Sequence, residues 1–430
     1  MKKLKLATLA LVGALAAGPA LADLVFPSLS YRTGPYAPNG IPFADGYADY
    51  FTLINERDGG IGGIKIAMPE CETGYNTEKG VECYESTKDV GTGALLYQPL
   101  STGITYQLIP KASADGIPVH SMGYGRTSAS NGKVFEWIFN YPTNYWNGAS
   151  IAIKYILDQE GGDISDKKIA LIYHNSAYGK EPIRTLEELS KKHGFEFLQI
   201  PVDPPGQEQK SQWLQIRQQK PDYVLMWGWG VQNQVAIQEA ANIRFPMDHF
   251  IGIWWSGSEN DTLPVGDGAD GYKALNMNLP GKDLPIYDDL KTYVYDKGLA
   301  AGAGDQGGTV LYNRGMYAAI LAVEAAKKAQ EIHGVAQITA AMMRDGMEAL
   351  EITDADMEAL GVPGFGPEFS VSCANHGGGG QAIVQQWDAA SKTWNVLTDF
   401  IAPDTEVIQP LIDADSAAYA AEAGIEERCN

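Results

Sequence analysis

Residues 32–66 read RTGPYAPNGIPFADGYADYFTLINERDGGIGGIKI. Phe43, Tyr47, Tyr50, Phe51 and Ile54 recur at the spacing of one helical face, which predicts an amphipathic helix. A glycine-punctuated loop, TGPYAPNG, precedes that helix, and Gly59-Gly60 stops it, because glycine readily takes the left-handed conformation that ends helices. Residues 24–29 before the loop and 64–68 after the helix are short apolar runs that predict strands. Strand, helix and strand in this order form the unit of a parallel sheet, where a helix crosses over between neighbouring strands.

The alternation continues outward. Helix 77–88, strand 94–97, helix 104–113 and strand 117–121 complete a first block. A second block opens near Tyr145 with a helix to Gln159, then strand 168–173, helix 181–193, strand 196–201, helix 210–219, strand 223–227, helix 232–242 and strand 249–253. The predicted class is α/β, two doubly wound parallel-sheet domains with a ligand cleft between them. Residues 310–329 predict an Ala-rich helix returning to the first domain, and 381–387 with 394–397 a late hairpin. The acidic, loosely patterned stretch 403–430 reads as a surface tail.

Residues 1–22 carry Lys2, Lys3 and Lys5, an uncharged run 6–16, and Ala20-Leu21-Ala22, the three-part form of a secretory signal cleaved after Ala22. The run is shorter than the ~20 residues a membrane span needs. No later window reaches that length without charge, so no membrane insertion is expected. The formal charge of −21 becomes more negative without the leader, which argues against nucleic acid and anionic membranes as partners. Four cysteines in an exported chain predict disulfides. Cys71 and Cys83 are close enough to pair locally, leaving Cys373 with Cys429 to tether the tail; the sequence leaves other connectivities open. Without CxxC or HxxxH spacing, neither a metal nor a cofactor is expected.

Ligands of doubly wound sheets sit beyond the carboxyl ends of the strands. After strand 117–121 comes Met122-Gly123-Tyr124-Gly125-Arg126, and after strand 94–97 comes Pro99-Leu100-Ser101-Thr102-Gly103. Glycines there permit close backbone approach, and N–H groups at a helix start donate to a carboxylate. In the second block, three strand ends deliver Tyr178, Trp229 and Trp254 to one rim, where aromatic faces suit flat or cationic ligands. Catalytic patterns are missing: there is no GxSxG, HExxH or GxxxxGK[ST]. The neighbours His120 and Ser121 point to opposite faces of a strand and make a poor base and nucleophile. The GGGG run 377–380 reads as a flexible turn, and Asp354-Ala355-Asp356 as a solvated helix start.

Five motifs carry a resemblance: TGPYAPNG at 33–40, INERDGGIGG at 54–63, ADGIPVHS at 114–121, KKIALIYHNSAYGK at 167–180 and IGIWWSG at 251–257. With these, residues 23–399 resemble the periplasmic solute-binding proteins of ABC importers in the leucine/isoleucine/valine-binding family, with the type I periplasmic-binding-protein fold. The resemblance implies a first lobe of residues 23–143 plus 276–362, a second of 144–275 plus 363–402, and the tail 403–430. It implies three hinge crossings, near 141–145, 273–277 and 361–367. It further implies a non-enzymatic periplasmic receptor that closes around one small molecule and docks on the transmembrane subunits of a permease. Carried over by position, the family's contacts fall on Asn39, Ser101, Thr102, Gly123, Tyr124, Gly125, Tyr178, Trp229 and the residue after strand 249–253.

At that last position the family's amino-acid binders place a glutamate, and this chain aligns Trp254. Losing a charge-assisted hydrogen bond of about 1.5–3 kcal/mol weighs against an ammonium ligand. Glu259 or Asp261 would have to replace it. The expected ligand is an aromatic or otherwise flat carboxylate, with Arg32, Arg126 or Arg314 as counter-charge, although each is by default a surface residue. A branched-chain or other amino acid is the alternative within the class, and an exported enzyme using the same cleft the alternative outside it.

Overall fold

The computed structural model describes residues 22–302 and 306–429, so the leader read at 1–22 lies almost wholly outside the described residues. One seven-stranded sheet runs in the order Thr393–Val396, Ile383–Asp388, Lys273–Asn276, Phe250–Gly252, Tyr223–Trp227, Lys168–His174, Glu196–Val202. Its inner strands are parallel, and the late hairpin adds two antiparallel strands at one edge. Tyr223–Trp227 is buried along its whole length, as a strand covered by helices on both faces must be.

The first block builds a second parallel arrangement from much shorter strands. Leu24–Val25 pairs with Ile66–Ala67, Ser28–Ser30 with Glu70–Glu72, and Val119–His120 with Ile138–Phe139. Single bridges Val25 to Ala94, Ser28 to Gln98 and Tyr97 to Val119 join them. The run 94–97 is therefore a row of bridges rather than a continuous strand, and Glu70–Glu72 is a strand that the polar sequence hides.

The opening helix starts earlier than its apolar stripe suggests. It spans Ala37–Leu53 and takes in half of the loop TGPYAPNG. Pro38 sits in the first turn, where no N–H is needed, whereas Pro42 lies inside the helix and leaves the carbonyl of Pro38 without its usual donor. The side chain of Asn260 donates to that carbonyl instead. The helix ends in a wide turn at Ile54–Asp58, closed by Gly59 with φ of 77°.

The long helix Val310–His333 packs on Ala37–Leu53, as its expected return to the first block requires. Contact is backbone to backbone: a Cβ at Gly46 would lie 2.0 Å from the Tyr312 oxygen, and one at Gly315 1.9 Å from the Phe43 oxygen. Both expected disulfides are present, Cys71 with Cys83 and Cys373 with Cys429.

The C-terminal stretch corrects the reading of a loose tail. Thr405–Ala423 is a helix, with Ile408, Leu411, Ile412 and Ser416 buried on one face against Thr127–Ser130, Tyr145–Gln159 and Ile183–His193. Arg126 pairs with Asp415 at 2.7 Å, and Ser416 Oγ donates to Ser128 O. The GGGG run is a turn held onto the segment after Ile138–Phe139, Gly380 N donating to Pro142 O. Thr353 and Asp356 cap the helix start at Asp354.

His120 Nε2 donates to Tyr141 O at 2.8 Å and its ring stacks on Tyr141. Burial pushes this imidazole down to about 4. A base whose folded pKa is depressed contributes stability that is complete above the unfolded value near 6.5 and is lost as pH falls towards the folded one. We expect about 3 kcal/mol to disappear from this group by pH 4, at about 1.4 kcal/mol per unit. Urea titrations at pH 7.5 and 4.5 check it: His120→Gln is to lose about 2 kcal/mol less than the parent over that interval, and equal losses refute the assignment.

Candidate functional site

A cavity lies between the two blocks. Leu100, Ser101, Thr102 and Tyr124 reach it from the first block, with Tyr75 from the loop after Glu70–Glu72. Tyr145, Tyr178, Trp229 and Trp255 face them from the second. Six of the nine lining residues are aromatic, and none carries a charge. All but Tyr75 are buried.

Strand ends position these groups. Lys168–His174, Tyr223–Trp227 and Phe250–Gly252 are adjacent, and the chain leaving each turns over the same edge. Tyr178 sits in the short helix Ala177–Lys180 and donates to Gly228 O at 2.9 Å. Trp229 meets Trp255 edge-on at 5.4 Å. On the facing side Ser101 caps the helix Thr102–Asp115, its Oγ accepting from Ile104 N at 3.3 Å. The N–H groups of Thr102 and Gly103 are first-turn donors with no carbonyl of the helix to meet, and the positive end of the helix dipole lies there.

Of the residues singled out from the sequence, Ser101, Thr102, Tyr124, Tyr178 and Trp229 come together on this wall. Gly123 and Gly125 stand behind it: Gly123 O accepts from two indoles, and Gly125 N donates to Thr102 Oγ1 at 3.4 Å. Asn39 lies off the wall, its Nδ2 donating to Asp261 Oδ1 at 3.0 Å. Trp254 also lies off it, wholly buried, stacked on Tyr145 and close over Gly148. Its neighbour Trp255 takes the place on the cavity. Residues 254–256 form a 3-10 turn, not a strand, so counting alternate positions from the strand end does not tell which indole faces inward.

Tyr75, Leu100, Tyr145 and Trp255 were missed by the sequence reading. Leu100 stands in the segment 99–103 singled out after strand 94–97, Tyr145 opens a predicted helix, and Trp255 follows Trp254 directly. Tyr75 follows the hidden strand at 70–72 and gave no signal.

The charged candidates are all engaged elsewhere. Arg32 pairs with Asp45 and Glu70 at 2.6 Å each, and Arg126 with Asp415. Arg314, expected at the surface, is wholly buried behind Trp255. Glu259 accepts from Val310 N, and burial pushes its carboxyl up to about 7. Asp261 accepts from Ser258, Asn39 and Asn233, burial again raising it. Burial likewise raises the Tyr145 and Tyr178 hydroxyls, which stay neutral. His120 and Ser121 bond to Tyr141 O and Phe139 O and form no nucleophile and base pair. Among the described residues no group of three or more His, Cys, Asp or Glu is arranged to hold a metal, and no helix is long and apolar enough to cross a membrane.

A family model described as periplasmic binding protein matches residues 25–392. A crystal structure described as an ABC transporter permease from the Pseudomonas fluorescens group is 42% identical over 96% of this chain and 100% of its own, with a TM-score of 0.88. The branched-chain amino acid ABC transporter of Thermus thermophilus with bound valine is 18% identical, covering 90% of this chain and 98% of its own at a TM-score of 0.75. A solute-binding protein from R. palustris in complex with benzoate is 17% identical, covering 89% and 97% at 0.66. No curated protein matches.

Proposed function

The chain belongs to the periplasmic binding proteins, a family of receptors rather than enzymes, and on that premise we propose that it captures a small flat carboxylate, best an aromatic one, for an ABC importer. The observation that carries this reading is the uncharged cavity lined by six aromatic rings together with the amino end of the helix Thr102–Asp115. The carboxylate rests on the first-turn N–H groups and the hydroxyls of Ser101 and Thr102, where the helix dipole favours negative charge. The ring lies among Tyr178, Trp229 and Trp255, which offer area and offset stacking. An ammonium group would meet no carboxylate on the wall, since Glu259 and Asp261 are committed to backbone and amide donors. Nine residues closing in from both sides leave room for a small ligand only.

Around the cavity we assign a first lobe of 23–143 plus 276–362 and a second of 144–275 plus 363–402, hinged where the chain crosses near 141–145, 273–277 and 361–367. A ligand bound better by the closed arrangement shifts the population towards it, and the permease reads that form. Removal of residues 1–22 leaves the receptor in the periplasm.

Calorimetry with benzoate, 4-hydroxybenzoate, benzamide, benzylamine, leucine and valine tests the reading. We expect the two aromatic carboxylates to bind, and Thr102→Val and Trp255→Ala each to weaken them at least tenfold. Binding of leucine or valine with indifference to benzoate overturns the ligand class and restores the amino-acid alternative.

A further inference from the structure

Arg314 is the least expected charge in the molecule. It lies on the helix Val310–His333, wholly buried, and no described carboxylate comes within ion-pairing distance of it. A buried cation without a paired anion is costly, so a fold that keeps one holds it with other groups. Here Nη1 donates to Trp254 O, Nη2 to Asn276 Oδ1, and Nε to Asn278 Oδ1 at 3.2 Å. The guanidinium carbon stands 4.8 Å from the centre of the Trp255 ring. Burial lowers its pKa to about 9, partly offset by Glu259 and Asp261, so it remains charged at neutral pH.

These bonds meet at the junction of three parts of the chain. The helix that carries Arg314 packs on the first block. Trp254 and Trp255 follow a central strand of the seven-stranded sheet, and Asn276 ends the strand at the second crossing. The Asn276 oxygen is itself fixed, accepting from Met277 N as well, while its Nδ2 donates to Gln385.

Both indoles then reach one acceptor in the first block. Trp254 Nε1 donates to Gly123 O at 2.7 Å and Trp255 Nε1 at 3.1 Å. That carbonyl's two lone pairs are thereby used by two rings from the opposite half. Gly123 has φ of 70°, and a Cβ there would sit 2.2 Å from the Met277 side chain, so only glycine brings the carbonyl this close. One of the two rings, Trp255, is also part of the cavity wall.

We propose that Arg314 is the positioning residue of the closed site: it holds Trp254 and Trp255 so that both indoles bridge to Gly123 and Trp255 presents its ring to the ligand. The proposal rests on the cavity being the ligand site, but its signature needs no ligand. Arg314 does not line the cavity; it acts through the tryptophan pair.

The test is hydrogen exchange at the indole N–H groups of the nine tryptophans, followed by ¹⁵N NMR on the full chain. Trp254→Phe and Trp255→Phe assign the two signals. In the parent protein both are to be protected, and in Arg314→Met both are to exchange at least 100-fold faster while Trp213 and Trp387, buried elsewhere, keep their rates. Arg314→Lys, which keeps the charge but not the fork, is to give partial protection. Should Arg314→Met fail to fold, Asn276→Ala removes one of the guanidinium's partners and is to speed both indoles at least tenfold. Unprotected indoles in the parent, or rates unchanged in these variants, overturn the proposal. Failure of benzoate to bind while the indoles respond as described overturns the ligand class alone.

Discussion

Replacing Gly315 by alanine is expected to unfold the protein or destabilise it by more than about 4 kcal/mol, the range reserved for changes that break a core outright. The added Cβ would lie 1.9 Å from the Phe43 oxygen, 2.8 Å from its carbon and 2.9 Å from Tyr47 N, all backbone atoms of the facing helix that no rotamer change can move. Gly46 makes the reciprocal approach to Tyr312, so the two helices have no slack on either side. Separating them opens the packing of a long helix buried along most of its length, from Val310 through Ala329. The sign makes the test sharp: alanine favours an open helix interior by about 1 kcal/mol over glycine. A Gly315→Ala protein with a raised urea midpoint would show that the close approach does not exist.

The second large effect is loss of the disulfide Cys373–Cys429. Its partners are separated by 56 residues, against 12 for Cys71–Cys83. Cross-links remove closure entropy from the unfolded chain in proportion to the logarithm of the loop, so the long bridge stands at about 4 kcal/mol and the short one nearer 3. Native contacts add to the difference. The bridge anchors the segment after the C-terminal helix, where Arg428 N donates to Lys133 O and its guanidinium bonds Glu348. Urea unfolding of Cys373→Ser/Cys429→Ser beside Cys71→Ser/Cys83→Ser is expected to rank the first pair as the more damaging. The reverse order would mean that the C-terminal helix holds itself without the tether.

Much of this architecture was legible because local signals and burial agree. The strand Tyr223–Trp227 and the helices Tyr145–Gln159 and Lys210–Gln219 fall where the apolar patterns place them, the first of the helices capped by Asn144. Where a distant partner decides, the pattern fails. The opening helix runs through Pro42 because Asn260, far along the chain, serves the carbonyl that the proline orphans. The C-terminal helix reads as a solvated tail because its large apolar residues are few and interrupted by acidic ones and by Pro410, and only the burial of Ile408, Leu411 and Ile412 reveals the stripe.

The candidate site divides the same way. Ser101, Thr102, Tyr124, Tyr178 and Trp229 sit just beyond strand ends, a position that the topology alone selects. Trp255 needs the shape of a tight turn, and Tyr75 needs a strand whose sequence, Glu70-Cys71-Glu72, looks like surface. Arg314 runs opposite to every surface expectation, because its partners are carbonyl and amide oxygens, groups that no charge pattern announces.

The closed cavity also sets a clock. Ser101, Thr102, Tyr124, Tyr178, Trp229 and Trp255 are all buried, so on the proposed reading a molecule held among them leaves when the halves part. Its residence time can be no shorter than the waiting time for opening, a collective motion of microseconds to milliseconds or slower. Bonds that never touch the ligand, such as those from the two indoles to Gly123, lengthen that wait and so tighten affinity through the off-rate. On the proposed function, delivery requires whatever receives the cargo to break those contacts, which would make the hand-over, rather than the capture, the step at which the receptor resists.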